Sequence, residues 1–153
     1  MPDKVFVDTN VLVYTRDASE PQKQKQAMGW MSHLWEQRTG RLSFQVLQEY
    51  YVTVTEKLDP GLAPEVARRD VRLLFSWQPI HLDARVLEGA WRLQDRYQLS
   101  WWDALIVSAA QASKCDYLLT EDLRENQKLG NVRVINPFRT SPETLQKSAH
   151  GSL

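Results

Sequence analysis

Residues 4–10 read Lys-Val-Phe-Val-Asp-Thr-Asn, a short apolar strand (residues 4–7) that ends on an acid. Asp8 therefore lies at the carboxyl end of the first predicted strand. In open α/β sheets, ligands bind outside the carboxyl ends of the strands. The position of Asp8 makes it the first candidate for a functional site.

Outward from this stretch, the pattern alternates between strands and helices. One helix is predicted to begin at Pro21, with Ser19 as its N-cap, and another at Pro64, with Phe75 facing inward. Two more helices are predicted over 84–97 and 100–112. Further strands are predicted over 41–43, 78–82, 117–119 and 132–135. The segment 45–57 has strand-like residues at its centre, but its apolar spacing favours a helix.

This alternation predicts an α/β fold with a parallel sheet and helices on both faces. The domain is expected to span 1–138, and the polar, aperiodic segment 139–153 is expected to be a loosely ordered tail. The 153 residues fit one domain. With no targeting segment and no apolar run of membrane length, a cytoplasmic protein is expected.

The composition of the chain limits the classes of function that fit it. The formal net charge is zero, which argues against binding nucleic acid by bulk positive charge but does not exclude a nuclease that has a carboxylate site. Cys115 is the single cysteine, so no internal disulfide is possible, and a buried position is expected. His33, His81 and His150 are scattered and form no zinc-ligand pattern.

Each of four acids has a structural explanation beside the functional one. Asp8 and Asp122 follow strands and could each cap the next turn or helix, the latter over residues 123–128. Asp103 lies in a nearly all-apolar helix, where a charge is costly unless it is paired or metal-bound, yet it also fits a capping box that begins at Ser100. Glu49 could be an ordinary helix-surface residue.

Taken together, the acidic segments resemble the PIN-domain family, most closely the VapC-type toxins of bacterial toxin–antitoxin pairs. The matching stretches are 7–12, 45–50, 102–106, 119–123 and 136–138, in the family's order. The resemblance implies a three-layer fold with five parallel strands in the order 3-2-1-4-5. It also implies that Asp8, Glu49, Asp103 and Asp122 are catalytic, metal-binding acids. It places supporting polar residues at Thr9, Asn10, Ser43, Thr120 and Glu121, and the adjacent pair Glu121 and Asp122 leaves the fourth ligand open.

Oxygen ligands suit Mg²⁺ or Mn²⁺ rather than Zn²⁺. We therefore expect a magnesium-dependent endoribonuclease in which the ion activates a water, with Glu49 or Asp122 as the proton acceptor. The resemblance implies three partners: RNA as substrate, a cognate antitoxin and a second copy of the chain in a homodimer. Tyr14, Trp30, Trp35 and Tyr51 are candidates for an antitoxin groove, with ordinary core packing as the alternative.

Substrate contacts are less defined by the sequence. Arg92, Arg96, Arg124 and Lys128 could clamp phosphates, although a solvated charged face is the favoured interpretation. Trp101 could stack on a base, but core or dimer packing is favoured for it.

Other functions remain as alternatives. A phosphatase of the haloacid-dehalogenase kind needs a second Asp where Asn10 stands, and a receiver domain needs an acidic pair that does not accompany Asp8. A non-catalytic module that binds metal or RNA, and a housekeeping PIN nuclease, stay open.

Overall fold

The computed structural model describes residues 3–145, and they form a central sheet with surrounding helices. The strands are β1 (Val5–Val7), β2 (Gly40–Arg41), β3 (Tyr117–Leu119), β4 (Lys128–Leu129) and β5 (Val132–Ile135). The helices are α1 (Thr9–Tyr14), α2 (Pro21–Gln37), α3 (Phe44–Val52), α4 (Pro64–Leu74), α5 (Ala84–Tyr97) and α6 (Trp101–Ala112). Helix α3 continues into a π-helical turn at Thr53–Lys57, and α4 continues into a 3₁₀ turn at Phe75–Trp77. The predicted α/β class is confirmed.

The sheet order is β2-β1-β3-β5-β4, parallel except for the antiparallel pair β4 and β5. Successive side chains of a strand point to opposite faces, and all three residues of β1 are buried. Both faces of the sheet are therefore covered. This parallel arrangement brings the carboxyl ends of β1 and β3 side by side, in register from Val5 with Tyr117 to Val7 with Leu119.

The strand predicted over 78–82 is reduced to a single parallel bridge between Ile80 and Ser43. Its place next to β2 agrees with the predicted order. Gln78 has a left-handed backbone (φ 56°), and Pro79 has no N–H to donate, so a longer ladder cannot form. The antiparallel β4 was not predicted, and it forms the opposite edge of the sheet.

Two expectations about the ends of helices α2 and α4 were wrong. Glu20, not Ser19, occupies the N-cap of α2, because the backbone N–H and hydroxyl of Ser19 both donate to Asp17 Oδ1. Phe75 is 51% exposed instead of facing inward, because the chain leaves the α-helix for a 3₁₀ turn at this residue. The helical prediction for 45–57 is correct, and Cys115 is buried as expected.

The segment after β5 is joined to α2 through Trp30, which is 1% exposed. Its indole Nε1 donates to the carbonyl oxygens of Pro137 (3.2 Å) and Thr140 (3.0 Å). Thr140 also donates through its hydroxyl to Glu125. Most of the predicted loose tail, residues 146–153, lies outside the described residues. Within residues 3–145, no helix has both the length and the apolar composition needed to cross a membrane.

Gly40 is a position at which only glycine fits. A Cβ there would overlap the six-membered ring of Trp77, whereas a Cβ on Gly29, in the middle of α2, meets nothing within 4 Å. We expect Gly40→Ala to lower the free energy of unfolding by about 1–3 kcal/mol through overpacking. Gly29→Ala is the matched control and should raise it by about 0.5–1 kcal/mol. Urea denaturation of both variants checks this, and an unchanged Gly40→Ala would contradict the tight contact.

Candidate active site

All four predicted acids line one open cavity of about 380 Å³ at the carboxyl edge of the sheet. The elements that carry them are far apart in sequence: the end of β1, the middle of α3, the start of α6 and the segment after β3. The lining includes Asp8, Glu49, Asp103 and Asp122, together with Thr9, Asn10, Gln45, Tyr14 and Trp102. The fold thus brings together residues that the sequence separates by more than a hundred positions.

Asp8 is the most buried of these acids, at 8% exposed. Its Oδ1 accepts from the backbone N–H of Thr9 (2.7 Å), and its Oδ2 accepts from the hydroxyl of Thr120 (2.8 Å). Burial raises the pKa of Asp8 from 3.8 to about 7; the two hydrogen bonds oppose this rise, while the charges of Asp122 and Asp103 add to it. Asp8 caps α1 and lines the cavity, so the structural and functional explanations hold together.

Glu49 is fixed by hydrogen bonds to both carboxylate oxygens. The Thr9 hydroxyl donates to Oε2 (2.8 Å), and Gln45 Nε2 donates to Oε1 (3.0 Å). Gln45 precedes Glu49 by one helical turn, so the two side chains share one face of α3. Ser43 is fully buried and caps α3 by accepting from the N–H of Val46. It does not line the cavity, so its contribution is to hold the helix that carries Glu49.

Asp122 reaches the cavity from the segment that follows β3. Its Oδ2 accepts from Asn10 Nδ2 (2.8 Å), and its own backbone N–H donates to the hydroxyl oxygen of Thr120 (3.1 Å). Residues 121–127 form bends and turns, so the expected helix over 123–128 is wrong and Asp122 caps nothing. Thr120, which is buried, bonds to both Asp8 and Asp122 and holds the two acids in fixed relation.

Asp103 lies in the first turn of α6. Ser100 caps the helix by accepting from the Asp103 N–H (3.2 Å). Burial raises the pKa of the Asp103 carboxyl, the hydrogen bond with Ser100 opposes the rise, and the charge of Asp122 adds to it. A carboxylate at a helix N-terminus is favoured by the helix dipole, which partly offsets this cost.

Glu121 is held away from the cavity. Its Oε1 accepts from the Tyr14 hydroxyl (2.6 Å), and its Oε2 accepts from Lys23 Nζ (3.0 Å). Lys23 also lies over the Tyr14 ring, 5.0 Å from its centroid. Of the two adjacent acids, Asp122 lines the cavity and Glu121 does not.

Two buried amide oxygens at this cavity, Asn10 Oδ1 and Gln45 Oε1, have no hydrogen-bond partner among the described residues. The orientation of each amide is set by its nitrogen, which must donate to a carboxylate that can only accept. Each oxygen therefore remains free for a cation or a donor. An oxygen-only set of this kind fits Mg²⁺ or Mn²⁺.

As they stand, the carboxylates do not form a closed coordination shell. Within residues 3–145, no group of three acidic, histidine or cysteine side chains is arranged to hold a metal ion.

Asp17, Gln45 and Trp102 also line the cavity, and none of the three was predicted as a site residue. The spacing of Gln45 four residues before Glu49 was the available signal, whereas nothing distinguished Trp102 from Trp101. His33 packs edge-on against Trp30, and His81 packs against Phe44. His150 lies outside the described residues. The four candidate phosphate contacts are exposed and do not line the cavity: Arg92, Arg96, Arg124 and Lys128.

Comparison with known proteins identifies the family. The family model described as the PIN domain matches residues 5–129. This match covers most of the 153 residues, and it includes every acid of the cavity. The chain belongs to the PIN domain family. No curated protein matches the chain in sequence.

Solved structures with the same fold share little sequence with the chain. A DNA-bound VapBC from Salmonella typhimurium is 17% identical with a TM-score of 0.61, over 90% of this chain and 99% of that one. VapBC2 from Rickettsia felis, bound to a promoter DNA fragment, is 20% identical with a TM-score of 0.60, and the alignment covers 86% of this chain and 97% of that one. VapC20 from Mycobacterium tuberculosis, a toxin that cleaves the sarcin–ricin loop, is 21% identical with a TM-score of 0.54. The alignment covers 75% of this chain and 87% of that one.

Proposed function

We propose that this protein is a magnesium-dependent endoribonuclease and the toxin of a toxin–antitoxin pair. The observation that carries the proposal is the convergence of Asp8, Glu49, Asp103 and Asp122 on one cavity at the carboxyl edge of a PIN-domain sheet. The two unpartnered amide oxygens in the same cavity support a cation as its occupant.

The side chains have distinct roles in this proposal. Asp8, Glu49, Asp103 and Asp122 hold the cation. Such an ion supplies Lewis acidity: it lowers the pKa of a water and offsets the charge on the phosphate. Thr9, Asn10 and Thr120 fix the directions of the carboxylates through the hydrogen bonds described above. Glu49 or Asp122 accepts the proton of the water that attacks phosphorus.

The substrate class and the biological role are taken from similar structures. The related toxin from M. tuberculosis cleaves an RNA loop, and two of the similar structures are toxin–antitoxin complexes. These likenesses support RNA as the substrate and an antitoxin as the partner.

Two apolar grooves on either side of α4 provide surface for an antitoxin. One groove is lined by Met28, Trp35 and Leu73, which are 40–58% exposed, and the other by Tyr51, Val52 and Phe75. Arg68 and Arg72 line the second groove, so an apolar peptide with acidic residues would fit there. Of the predicted groove residues, Trp35 and Tyr51 lie in these grooves and Tyr14 lines the acidic cavity. Trp30 is fully buried and therefore belongs to the core.

The homodimer, the cytoplasmic location and the exchange of Mg²⁺ for Mn²⁺ remain predictions. A housekeeping PIN nuclease and a non-catalytic PIN module are the competing functions, and they differ from the proposal in testable ways. The first cleaves RNA without toxicity, and the second binds metal without cleavage.

The adjacent acids Asp122 and Glu121 provide a matched test. We expect purified protein to cleave a mixture of structured and single-stranded RNAs with Mg²⁺ or Mn²⁺ and not with EDTA. Asp122→Asn should lower the cleavage rate about a hundredfold or more, because a charged oxygen is lost from the cavity. Glu121→Gln should change it by less than about threefold, because its partners are the partly exposed Tyr14 and Lys23.

Gel analysis of the RNA at several times, with circular dichroism as a folding control, makes the comparison. Equal losses in both variants would contradict the assignment of Asp122. Metal binding without cleavage by the native chain would favour the non-catalytic module.

A further inference from the structure

Trp102 has an unusual position for a large apolar side chain. It is 62% exposed, the most exposed of the large hydrophobic residues within the described part of the chain. It lies in the first turn of α6, next to Asp103, and it lines the acidic cavity. The fold therefore leaves an indole in water at the edge of the proposed active site.

The neighbouring Trp101 has different surroundings. It is half-buried, packs against the core and stacks on Trp91 of α5, with ring centroids 6.2 Å apart and planes 25° apart. The side chain of Trp101 therefore stabilises the fold by packing at the start of α6. The same role does not account for Trp102, because so exposed an indole contributes little buried area to folding.

The charge of the chain bears on what Trp102 binds. The formal net charge is zero, and the cavity itself is acidic. The zero net charge and the acidic cavity therefore argue against affinity for RNA that comes mainly from bulk positive charge. An aromatic face attracts a nucleobase by stacking, and this attraction needs no positive charge.

We propose that the indole of Trp102 is a stacking platform for one unpaired base of the RNA whose phosphate occupies the acidic cavity. This inference rests on the proposed function and adds a positioning residue to it. A base that stacks on Trp102 must leave its own helix, so single-stranded segments and loops are the favoured substrates.

A second macromolecule that covers Trp102 is the competing explanation. The cores of protein interfaces are depleted in charged residues. Trp102 instead shares its cavity with five carboxylates, those of Asp8, Asp17, Glu49, Asp103 and Asp122, which is a poor surface for such a core. The geometry therefore favours RNA over a protein, and the test separates the two.

The experiment measures RNA binding without cleavage. Every variant carries Asp8→Asn to prevent turnover, and fluorescence anisotropy reports the binding of a 5′-fluorescein single-stranded RNA of mixed sequence. A strand of the same length with no bases, which keeps all the phosphates, is the second probe. Trp102→Ala is compared with Trp102→Phe, which keeps a ring, and with Trp91→Ala, which removes an exposed indole that does not line the cavity.

We expect Trp102→Ala to weaken binding of the normal strand about tenfold and to leave binding of the baseless strand unchanged. Trp102→Phe should retain most of the affinity, and Trp91→Ala all of it. Equal effects on both strands, no effect on either strand, or no measurable binding of RNA would each overturn the inference. So would a change of oligomeric state, measured by light scattering, without a change in RNA binding.

The proposed function and this inference can fail separately. If the native chain cleaves RNA but RNA binding does not depend on Trp102, the stacking proposal is wrong and the nuclease proposal stands. If RNA binding depends on Trp102 but the native chain cleaves no RNA, the nuclease proposal is wrong and the stacking proposal stands.

Discussion

Replacing Asp8 with asparagine should abolish RNA cleavage and, at the same time, make the metal-free protein more stable at neutral pH. The expected loss of rate is about a thousandfold, since the carboxylate most enclosed by the cavity no longer binds a cation. The expected gain in the free energy of unfolding is about 1–3 kcal/mol at pH 8.

The gain in stability has a specific cause. Asp8 is buried close to Asp103 and Asp122, and its raised pKa shows that the folded protein disfavours its charge. Asparagine has the same shape without the charge, and its Oδ1 can still accept from the N–H of Thr9. The Thr120 hydroxyl, which already accepts from the N–H of Asp122, loses the carboxylate acceptor for its own proton, and this loss offsets part of the gain.

Urea denaturation in EDTA, together with the RNA cleavage assay, measures both effects. Asp95→Asn, which removes an exposed acid from α5, is the control and should change neither. Loss of activity accompanied by a loss of stability would contradict the prediction, because Asp8 would then be a structural cap and nothing more.

The second large effect is a dependence of stability on pH that Mg²⁺ reverses. The folded pKa of Asp8, about 7, lies above its reference value of 3.8, so the folded state binds the proton more tightly than the unfolded chain does. This contribution to stability is fully present below about pH 4 and is lost as the pH rises through 7. The pKa of Asp103 is raised as well, and its contribution has the same sign.

We expect the metal-free protein to lose up to about 4 kcal/mol relative to Asp8→Asn between pH 4 and pH 8. Magnesium competes with the proton for the same oxygens. It should therefore raise the melting temperature little at pH 5 and by about 5 °C or more at pH 8, when its concentration is a hundred times its dissociation constant.

Thermal melts across this pH range, with EDTA and with MgCl₂, provide the measurement. The Asp8→Asn variant should lack both the steep slope and most of the magnesium response. A magnesium effect of equal size at pH 5 and pH 8 would show that the ion binds without displacing protons from these acids.

Much of this fold could be predicted because its signals are local. The strand that ends at Asp8, the capped helix that begins after Ser100 and the helical spacing of 45–57 depend on neighbours within a few residues. The errors arose where the backbone departs from the regular geometry that the apolar spacing suggests. The strand over 78–82 shrank to one bridge at Ile80, and Phe75 turned outward where α4 tightens into a 3₁₀ turn.

Asp8 and Asp122 were candidates because each follows a strand, and the resemblance to the PIN-domain family implied all four acids. The choice between Glu121 and Asp122 could not be made from the sequence. Adjacent residues after a strand point in different directions, and the hydroxyl of Tyr14 and the ammonium of Lys23 hold Glu121 on one side. Both partners come from the first 23 residues, more than ninety positions away. No local pattern contains that information.

The sequence by itself therefore determined the α/β class and most of the elements, because strand and helix periods and caps depend on nearby residues. It made the four carboxylates candidates through the resemblance of their segments to the PIN-domain family. Only the tertiary structure decided which acids share the cavity, that Thr120 joins Asp8 to Asp122, and that Trp102 rather than Trp101 lines its wall. The pKa of Asp8 also belongs to this second group. It depends on burial and on charges that approach each other only when β1, β3 and α6 pack together.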